Sequence, residues 1–371
     1  DVANVNNKDF SEPIVTSPVS PLGQDTHVAS KFATAVCLPF NNPISLAREF
    51  RKENGETNYP YQGRDQYIHE MYRYAYVTDR YEGLILVDID CLTDGNPQNN
   101  FFKRAVTFNP DGVLNGAENL TVAGSTVYVC CDRGLVLVDV SDPLSPKVIG
   151  EIGAPHVVKP TSVQVQFRYA FVVDAEGLQT IDVTDPNKAA AVVGARVKIP
   201  GARDVYVVRT YAYVSAGAAG LAIVSVERPT APKLDQMFDG GGKINDLRQT
   251  IVGMTNDSVF AYLADGKNGL HVVQLVTPED GGRSAYGFSP RPKPALIATR
   301  RTHGECVAVA EGMDRDRAVD ESGHQVTIFG RWGGRPLDLG EMRNLYLKNG
   351  EVWRASNAPD ESRKLKKPAK K

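Results

Sequence analysis

The sequence lacks the segments and motifs that mark the commonest membrane and enzyme classes. No stretch approaches the roughly 18 consecutive apolar residues of a membrane-spanning helix. The nucleophile elbow Gly-x-Ser-x-Gly, the zinc motif His-Glu-x-x-His, the Walker phosphate loop and the haem-attachment motif Cys-x-x-Cys-His are also absent. We therefore expect a chain with no transmembrane segment and no catalytic residues, and we assign no cofactor to it.

Cysteine is scarce, with five residues in a chain of 371. An odd and sparse set excludes a disulfide-stapled scaffold. Cys130 and Cys131 are adjacent at the end of a predicted strand, so their side chains point to opposite faces. This placement favours two small buried thiols, and a vicinal disulfide is the alternative.

An excess of either charge is also missing, because the formal net charge is only −2. A nearly neutral chain without a broad basic face argues against nucleic acid as the main partner. The exception is the tail, residues 358–371, which we interpret either as a solvated disordered segment or as a flexible arm for an acidic partner or anionic lipid. As a partner-binding arm it would use Arg363, Lys364, Lys366, Lys367, Lys370 and Lys371.

What the sequence does contain is a repeat. An aromatic-flanked Val/Leu run, a Gly-Leu step and a second Val/Ile run recur, with the glycine at Gly83, Gly134, Gly177, Gly220 and Gly269. The spacings of 51, 43, 43 and 49 residues are typical of a propeller or a solenoid. Helical periodicity is almost absent, and the runs are rich in β-branched and aromatic residues.

Each repeat predicts four antiparallel strands, which is one propeller blade. A strand such as 202–208 precedes the aromatic run, the Gly-Leu step ends a hairpin, and Pro turns such as 141–146 separate the third and fourth strands. The fold class we predict is all-β, a β-propeller over residues 31–357, with a Pro/Ser-rich arm at 1–30.

The ends of the chain suggest seven blades, with six as the alternative. Residues 302–340 resemble a sixth blade, and residues 341–357 resemble the first two strands of another. Residues 32–50 resemble third and fourth strands, so we expect a blade shared between the termini to close the ring and leave no open edge.

The third strands resemble the LVIVD-repeat family of bacterial secreted and surface propellers. The matching stretches are GLILVDI (83–89), GLVLVDV (134–140), GLQTIDV (177–183) and GLAIVSV (220–226). The resemblance implies a propeller in an extracellular, cell-surface or periplasmic protein. It also implies another protein subunit as partner, such as a multihaem cytochrome or a surface protein. Because the sequence begins at Asp1, a cleaved secretory signal fits this location.

A ligand site in a propeller is best placed at the mouth of the central channel, where the innermost strands converge. Counting back from each aromatic run predicts a polar ring there: Tyr67, Asn119, Ser162, Asp204, Asp246, Glu305 and Asn344. We interpret the ring as a water-filled channel. The alternative is a site for calcium or another divalent cation, built by Asp204, Asp246 and Glu305.

These observations favour a non-enzymatic scaffold, a protein–protein interaction module of a secreted or cell-surface bacterial assembly. One alternative is a cation-dependent hydrolase of the esterase or lactonase kind that uses the channel mouth. The other is a carbohydrate-binding propeller, for which Trp332 and Trp353 are the candidate platforms.

Overall fold

The structure is a computed structural model of the chain. It describes residues 28–39, 70–89, 102–254, 259–276, 289–310, 331–332, 335–336, 347–348 and 351–352. No helix in these ranges is long and apolar enough to cross a membrane.

Five four-stranded antiparallel sheets follow one another along the chain, each in simple meander order. The first blade comprises β1 (Ala33–Cys37), β2 (Tyr74–Asp79), β3 (Gly83–Asp88) and β4 (Lys103–Phe108). The second comprises β5 (Asn119–Ala123), β6 (Thr126–Cys131), β7 (Gly134–Asp139) and β8 (Lys147–Ile152). The third comprises β9 (Ser162–Gln166), β10 (Tyr169–Asp174), β11 (Gly177–Asp182) and β12 (Ala190–Lys198).

The fourth blade comprises β13 (Asp204–Val208), β14 (Tyr211–Ser215), β15 (Leu221–Ser225) and β16 (Lys233–Phe238). The fifth comprises β17 (Gln249–Met254), β18 (Val259–Ala264), β19 (Leu270–Val276) and β20 (Ala295–Arg300). Two short hairpins follow: β21 (Arg331–Trp332) with β22 (Arg335–Pro336), and β23 (Leu347–Lys348) with β24 (Glu351–Val352). Short 3₁₀ turns occupy Glu70–Arg73, Pro110–Gly112 and Pro186–Lys188.

The first strands of consecutive blades contact one another in the order β1, β5, β9, β13, β17. Four-stranded sheets whose innermost strands lie side by side in chain order are the blades of a β-propeller. The predicted all-β propeller fold and the four-stranded repeat are therefore confirmed. The Pro turns at 141–146 and 228–232 join third to fourth strands, as predicted.

The core lies between the blades. Leu135 and Leu137 of the second blade pack with Val172 and Ile181 of the third, and all four are buried. The same arrangement joins the other neighbouring pairs. Full burial of each such side chain stabilises by about 1.5–3 kcal/mol, which explains why a single blade would not fold alone.

One prediction about the ends is wrong. Residues 33–37 are not the third strand of a shared closing blade, because β1 pairs with β2 and is the innermost strand of the first blade. The prediction placed the innermost strand next to Tyr74 in sequence, whereas the chain travels from Cys37 to Glu70 between β1 and the turn before β2. Tyr67, assigned to that strand, lies outside the described residues.

The residues that follow the fifth blade contact it in the way that the fifth blade contacts the fourth. Leu247, just before β17, forms an isolated bridge to Gly217, and Cys306 forms the matching bridge to Gly266. Residues 306–309 therefore run beside the fifth blade where the innermost strand of a sixth would lie. The hairpin β23–β24 falls within the stretch that predicts another blade.

Candidate functional site

Four polar residues occupy the same place in their blades, the first position of an innermost strand. Asn119, Ser162, Asp204 and Gln249 begin β5, β9, β13 and β17. Each pairs with a second-strand residue that in turn lies opposite the leucine of a Gly-Leu step, Leu135, Leu178, Leu221 and Leu270 respectively. Gln249 was not among the predicted ring residues.

Each of these four side chains accepts a hydrogen bond from the innermost strand of the next blade. The backbone N–H groups of Val163, Val205, Thr250 and Val309 donate to Asn119, Ser162, Asp204 and Gln249 at 3.3, 3.3, 3.1 and 2.6 Å respectively. We call Asn119, Ser162, Asp204 and Gln249 the inter-blade ladder. An innermost strand has one edge without a β partner, and the ladder satisfies N–H groups on that edge.

The first blade is fastened by a related contact. The Thr34 hydroxyl of β1 donates to the carbonyl of Ala117, at the entrance to the second blade, over 2.9 Å. Between the third and fourth blades a second contact lies one step along the strands, where the Val207 N–H donates to Gln164 Oε1. The polar residues of the innermost strands therefore join blades.

Asp204 is the acidic member of the ladder. Its Oδ1 accepts from the Ser162 hydroxyl at 2.8 Å, and its Oδ2 accepts from Thr250 N–H. Burial raises the pKa of the Asp204 carboxyl, and the hydrogen bonds from Thr250 and Ser162 only partly oppose this effect. A carboxylate in this position is costly to ionise.

We predict that Asp204→Asn leaves stability at neutral pH unchanged or raises it, whereas Asp204→Ala lowers it by about 1–3 kcal/mol. The amide oxygen can accept from Thr250, and the amide N–H can donate to Ser162 Oγ. Since the folded pKa lies above the unfolded value, the wild type loses stability as pH rises through that interval, and Asp204→Asn lacks this loss. Urea unfolding between pH 4 and pH 8 measures both effects. A large loss in Asp204→Asn would contradict the structural role.

Asp246 and Glu305 lie elsewhere at the mouth. They precede the bridging residues Leu247 and Cys306, so they are equivalent to each other but stand three residues before the ladder position. Arg248 Nη2 binds both, at 3.1 Å from Asp246 and 2.7 Å from Glu305. The counting that aligned them with Asp204 was wrong, because loop lengths differ between repeats.

Arginines occupy the surroundings of Asp246. Arg203 approaches it at 3.2 Å, and the hydrogen bond from Arg248 lowers the pKa of this carboxyl. The three predicted cation ligands are therefore not brought together as a set: Asp204 bonds to the ladder, and the other two bind arginine. Within the described residues no group of three or more His, Cys, Asp or Glu side chains is arranged to hold a metal ion. Asn344 and the basic tail lie outside the described residues.

Sequence reasoning missed a second repeated position, a buried aspartate at the end of the second strand or just after it. Asp79, Asp174 and Asp265 occupy it in the first, third and fifth blades, and each is at most 2% exposed. The signal was present as an Asp three or four residues before the Gly of the repeat. Each carboxylate ties the hairpin that follows it to the segment that leads into the innermost strand of its own blade.

In the third blade the buried aspartate is matched by an arginine. Asp174 accepts from Arg196 at 2.8 and 2.9 Å, from Glu176 N–H at 3.0 Å and from Val158 N–H at 3.2 Å. Burial alone would raise its pKa, but the Arg196 guanidinium and the backbone donors outweigh that effect and lower the pKa.

In the fifth blade the partner is a histidine. His271 Nε2 lies 3.0 Å from Asp265 Oδ2, and its Nδ1 lies 2.8 Å from Thr299 Oγ1. These residue types resemble a nucleophile–base–acid relay. However, Asp265 also accepts from the N–H groups of Asn245 and Asp246, and Thr299 lies on the outermost strand β20. The arrangement is a satisfied polar cluster in which Asp265 and His271 are buried and Thr299 lies at the exposed edge of the sheet.

The aspartate of the first blade gives a test by pH. Burial would raise the pKa of Asp79, but hydrogen bonds from Ser30 and from the N–H groups of Phe32, Glu82 and Tyr81 lower it to about 2. Because its pKa is depressed in the folded state, the ionised carboxylate stabilises the fold at pH values above the unfolded pKa of about 3.9. This stabilisation is lost as the pH falls towards 2. We expect the free energy of unfolding of Asp79→Asn to fall about 1–2 kcal/mol below wild type at pH 6 and to converge with it near pH 2. Parallel unfolding curves from pH 6 to pH 2 would contradict this.

The described clefts lie beside the first blade. One, of about 550 Å³, is lined by Val28, Ala29, Ser30, Lys31, Glu82, Phe102 and Arg104, and the other, of about 490 Å³, by Arg80, Tyr81, Asn115, Gly116, Glu118 and Asp132. Arg104 pairs with Glu82 in the first, and Arg80 pairs with Glu118 in the second. Trp332 lies in β21, and Trp353 lies outside the described residues.

The adjacent cysteines are free thiols in the buried interior of the second blade. Cys130 and Cys131 are both buried, and burial raises the pKa of each. Raised pKa values keep both groups protonated and unreactive at neutral pH.

The chain is distantly similar to several solved structures. The computationally designed Ika8 protein is 10% identical, with 65% of this chain and 63% of that chain covered and a TM-score of 0.41, so less than two thirds of that protein is spanned. A Lactobacillus plantarum protein is 12% identical, with 63% and 69% covered and a TM-score of 0.48. The Cps50 (Swd1) β-propeller domain of Myceliophteria thermophila is 14% identical, with 62% and 70% covered and a TM-score of 0.42. No curated protein sequence matches the chain.

The family comparison is specific. The LVIVD repeat model matches five consecutive segments: residues 73–103, 116–152, 159–192, 201–239 and 259–275. Each segment falls on one of the five four-stranded blades. The repeat is thus a blade of the propeller, and the chain belongs to the LVIVD repeat family.

Proposed function

We propose that this propeller is a non-enzymatic scaffold, a protein–protein interaction module of a secreted or cell-surface bacterial assembly. The observation that carries the proposal is the use of the channel-mouth side chains. The ladder joins blade to blade, and Asp246 and Glu305 bind arginine, so these polar groups already have partners within the chain. Functional contacts then fall to the outer surface.

The outer surface offers apolar side chains for such contacts. Phe167 is 91% exposed and Tyr81 is 63% exposed. Exposed apolar groups on a secreted protein are common at sites that bind other proteins. The family resemblance favours a multihaem cytochrome or a surface protein as the partner, and the basic tail is a candidate second contact.

The test is to isolate the full chain from its source through an affinity tag, followed by native mass spectrometry and metal analysis of the same sample. We expect a stable complex with a second protein and no stoichiometric divalent ion. A variant that lacks residues 358–371 serves as the matched control for the tail. A lone chain that carries one divalent ion and loses it on Asp204→Ala would overturn the scaffold and favour the hydrolase.

We also propose a ring of seven blades. The five described blades, the isolated bridge from Cys306 to the fifth blade and the hairpin β23–β24 support that number. A crystal structure of the full chain counts the blades directly, and six would contradict the proposal.

A further inference from the structure

The hairpin between β9 and β10 carries a residue that does not suit its backbone. Phe167 and Arg168 form a two-residue turn, and Phe167 has a φ of +55°. Equivalent turns in the second and fourth blades place Gly124 at +59° and Arg209 at +54°. Gly is the residue that this left-handed position favours, and a bulky aromatic there is an outlier.

The same side chain is also the most exposed large apolar group in the described residues, at 91%. Phe167 therefore bears backbone strain and exposes its ring to water, and no contact among the described residues compensates for either. Local rules are broken in this way mainly where a residue serves function. This turn lies at the end of the channel opposite the ladder, since β9 begins with Ser162 and ends at Gln166.

From these observations we infer that the Phe167 turn is a docking site for a protein partner, and that the partner offers an apolar pocket bordered by carboxylates. The inference deepens the scaffold proposal and depends on it. Aromatic and arginine side chains dominate the energetics of protein interfaces.

The charge of the turn specifies the partner. Arg168 is exposed, its guanidinium rests on the Tyr169 ring at 5.5 Å, and it forms no ion pair among the described residues. Arg209 stands at the equivalent turn of the next blade. The nearby carboxylate of Asp182 accepts from the N–H and hydroxyl of Thr184 at 2.9 and 2.6 Å, and these hydrogen bonds, with a smaller contribution from the charge of Arg168, lower its pKa. The turn therefore presents an aromatic ring with positive charge beside it, which acidic side chains complement.

The neighbouring turn shows how polypeptide covers this surface. In the fourth blade Thr210 N–H donates to Ser289 Oγ at 3.3 Å. Arg291 of the same segment binds Asp235 at 3.1 Å, and Gln236 donates to the Pro292 carbonyl at 2.8 Å. The Pro-rich segment 289–294 thus lies over the fourth blade, where the chain supplies its own cover. The Phe167 turn has no such cover from the described residues, so it is open to the apolar pocket and bordering carboxylates of a partner.

Stability and binding should respond in opposite directions to one substitution. Phe167→Gly installs the residue of the second blade, and we expect the melting temperature to stay unchanged or to rise by about 2 °C. We expect the same variant to weaken the isolated partner complex at least tenfold. Arg168→Glu should weaken it by a similar factor. Val193→Thr, which removes an equally exposed apolar group from the outermost strand of the same blade, is the matched control and should bind as wild type does.

Site-specific photocrosslinking identifies the contact. The full chain carries p-benzoylphenylalanine at position 167, or at position 193 as control, and is irradiated in the source cells. We expect a crosslink from position 167 and none from 193, and the crosslinked peptide should carry Asp or Glu around apolar residues. A complex that crosslinks elsewhere and tolerates Phe167→Gly would overturn this inference and leave the scaffold standing. Absence of any complex would overturn both.

Discussion

Asp265→Ala is expected to lower the free energy of unfolding by about 3–5 kcal/mol, because it removes the centre of a buried polar cluster. The carboxylate is fully buried and accepts from the N–H of Asp246 at 2.7 Å, from the amide of Asn268 at 2.8 Å and from the ring of His271 at 3.0 Å. Without it these donors remain in the interior with no acceptor, and each unsatisfied group costs about 1–3 kcal/mol. Urea unfolding followed by circular dichroism measures the change.

A surface aspartate provides the control for Asp265. Asp185 caps the short turn Pro186–Lys188 and pairs with Lys188, but both groups are exposed to water. We expect Asp185→Ala to lower the free energy of unfolding far less than Asp265→Ala does, because water screens the ion pair and can replace the cap. Equal losses at the two positions would show that the buried aspartate has no special role in the repeat.

The second large effect is expected at the glycine that defines the repeat. Gly177 has a φ of +141°, and a Cβ there would lie 2.1 Å from the carbonyl oxygen of Val197 and 2.6 Å from the N–H nitrogen of Ile199. Both neighbours are backbone atoms of the outer strand and the residue after it, so they cannot rotate away. We expect Gly177→Ala to lower the free energy of unfolding by about 2–4 kcal/mol.

Gly124→Ala separates the effect of backbone strain from the effect of a steric clash with the outer strand. Gly124 also has a positive φ, +59°, but nothing lies within 4 Å of its would-be Cβ. Its substitution therefore reports backbone strain alone, which we expect to be about 1 kcal/mol. Losses of the same size at Gly124 and Gly177 would mean that close approach of the outer strand does not explain the repeated glycine.

The repeat could be recognised in the sequence because each of its features depends on residues that are close together in the chain. Strand runs, the Gly-Leu step and the Pro turns each depend on a few neighbouring residues, so Gly134 and Gly220 could be aligned by eye. The buried pairs were not legible, because Arg196 lies 22 residues from Asp174 and only the folded sheet brings them together. The placement of β1 was missed for the same reason: 36 residues separate Cys37 from Tyr74 in the chain.

The candidate site was predicted in part. Asn119, Ser162 and Asp204 do begin equivalent strands, since five-residue first strands and two-residue turns separate them from the second strands of their blades. Gln249 was missed, and Asp246 was placed in its row, because β17 has six residues and four residues rather than two separate it from β18. The hydrogen bonds from these residues to the next blade could not be predicted from the sequence either. They depend on how the innermost strands of neighbouring blades lie side by side.

The structure assigns the inter-blade ladder the role of fastening neighbouring blades. A double-mutant cycle on Ser162→Ala and Asp204→Ala, measured by urea unfolding in the presence of a chelator, tests it most directly. The two side chains lie 2.8 Å apart across the third and fourth blades. We predict a coupling energy of about 1–2 kcal/mol that is unchanged when calcium replaces the chelator. A coupling energy near zero would contradict this role. If calcium also raised the stability of the wild type, and did so only while Asp204 is present, these residues would instead form a ligand site.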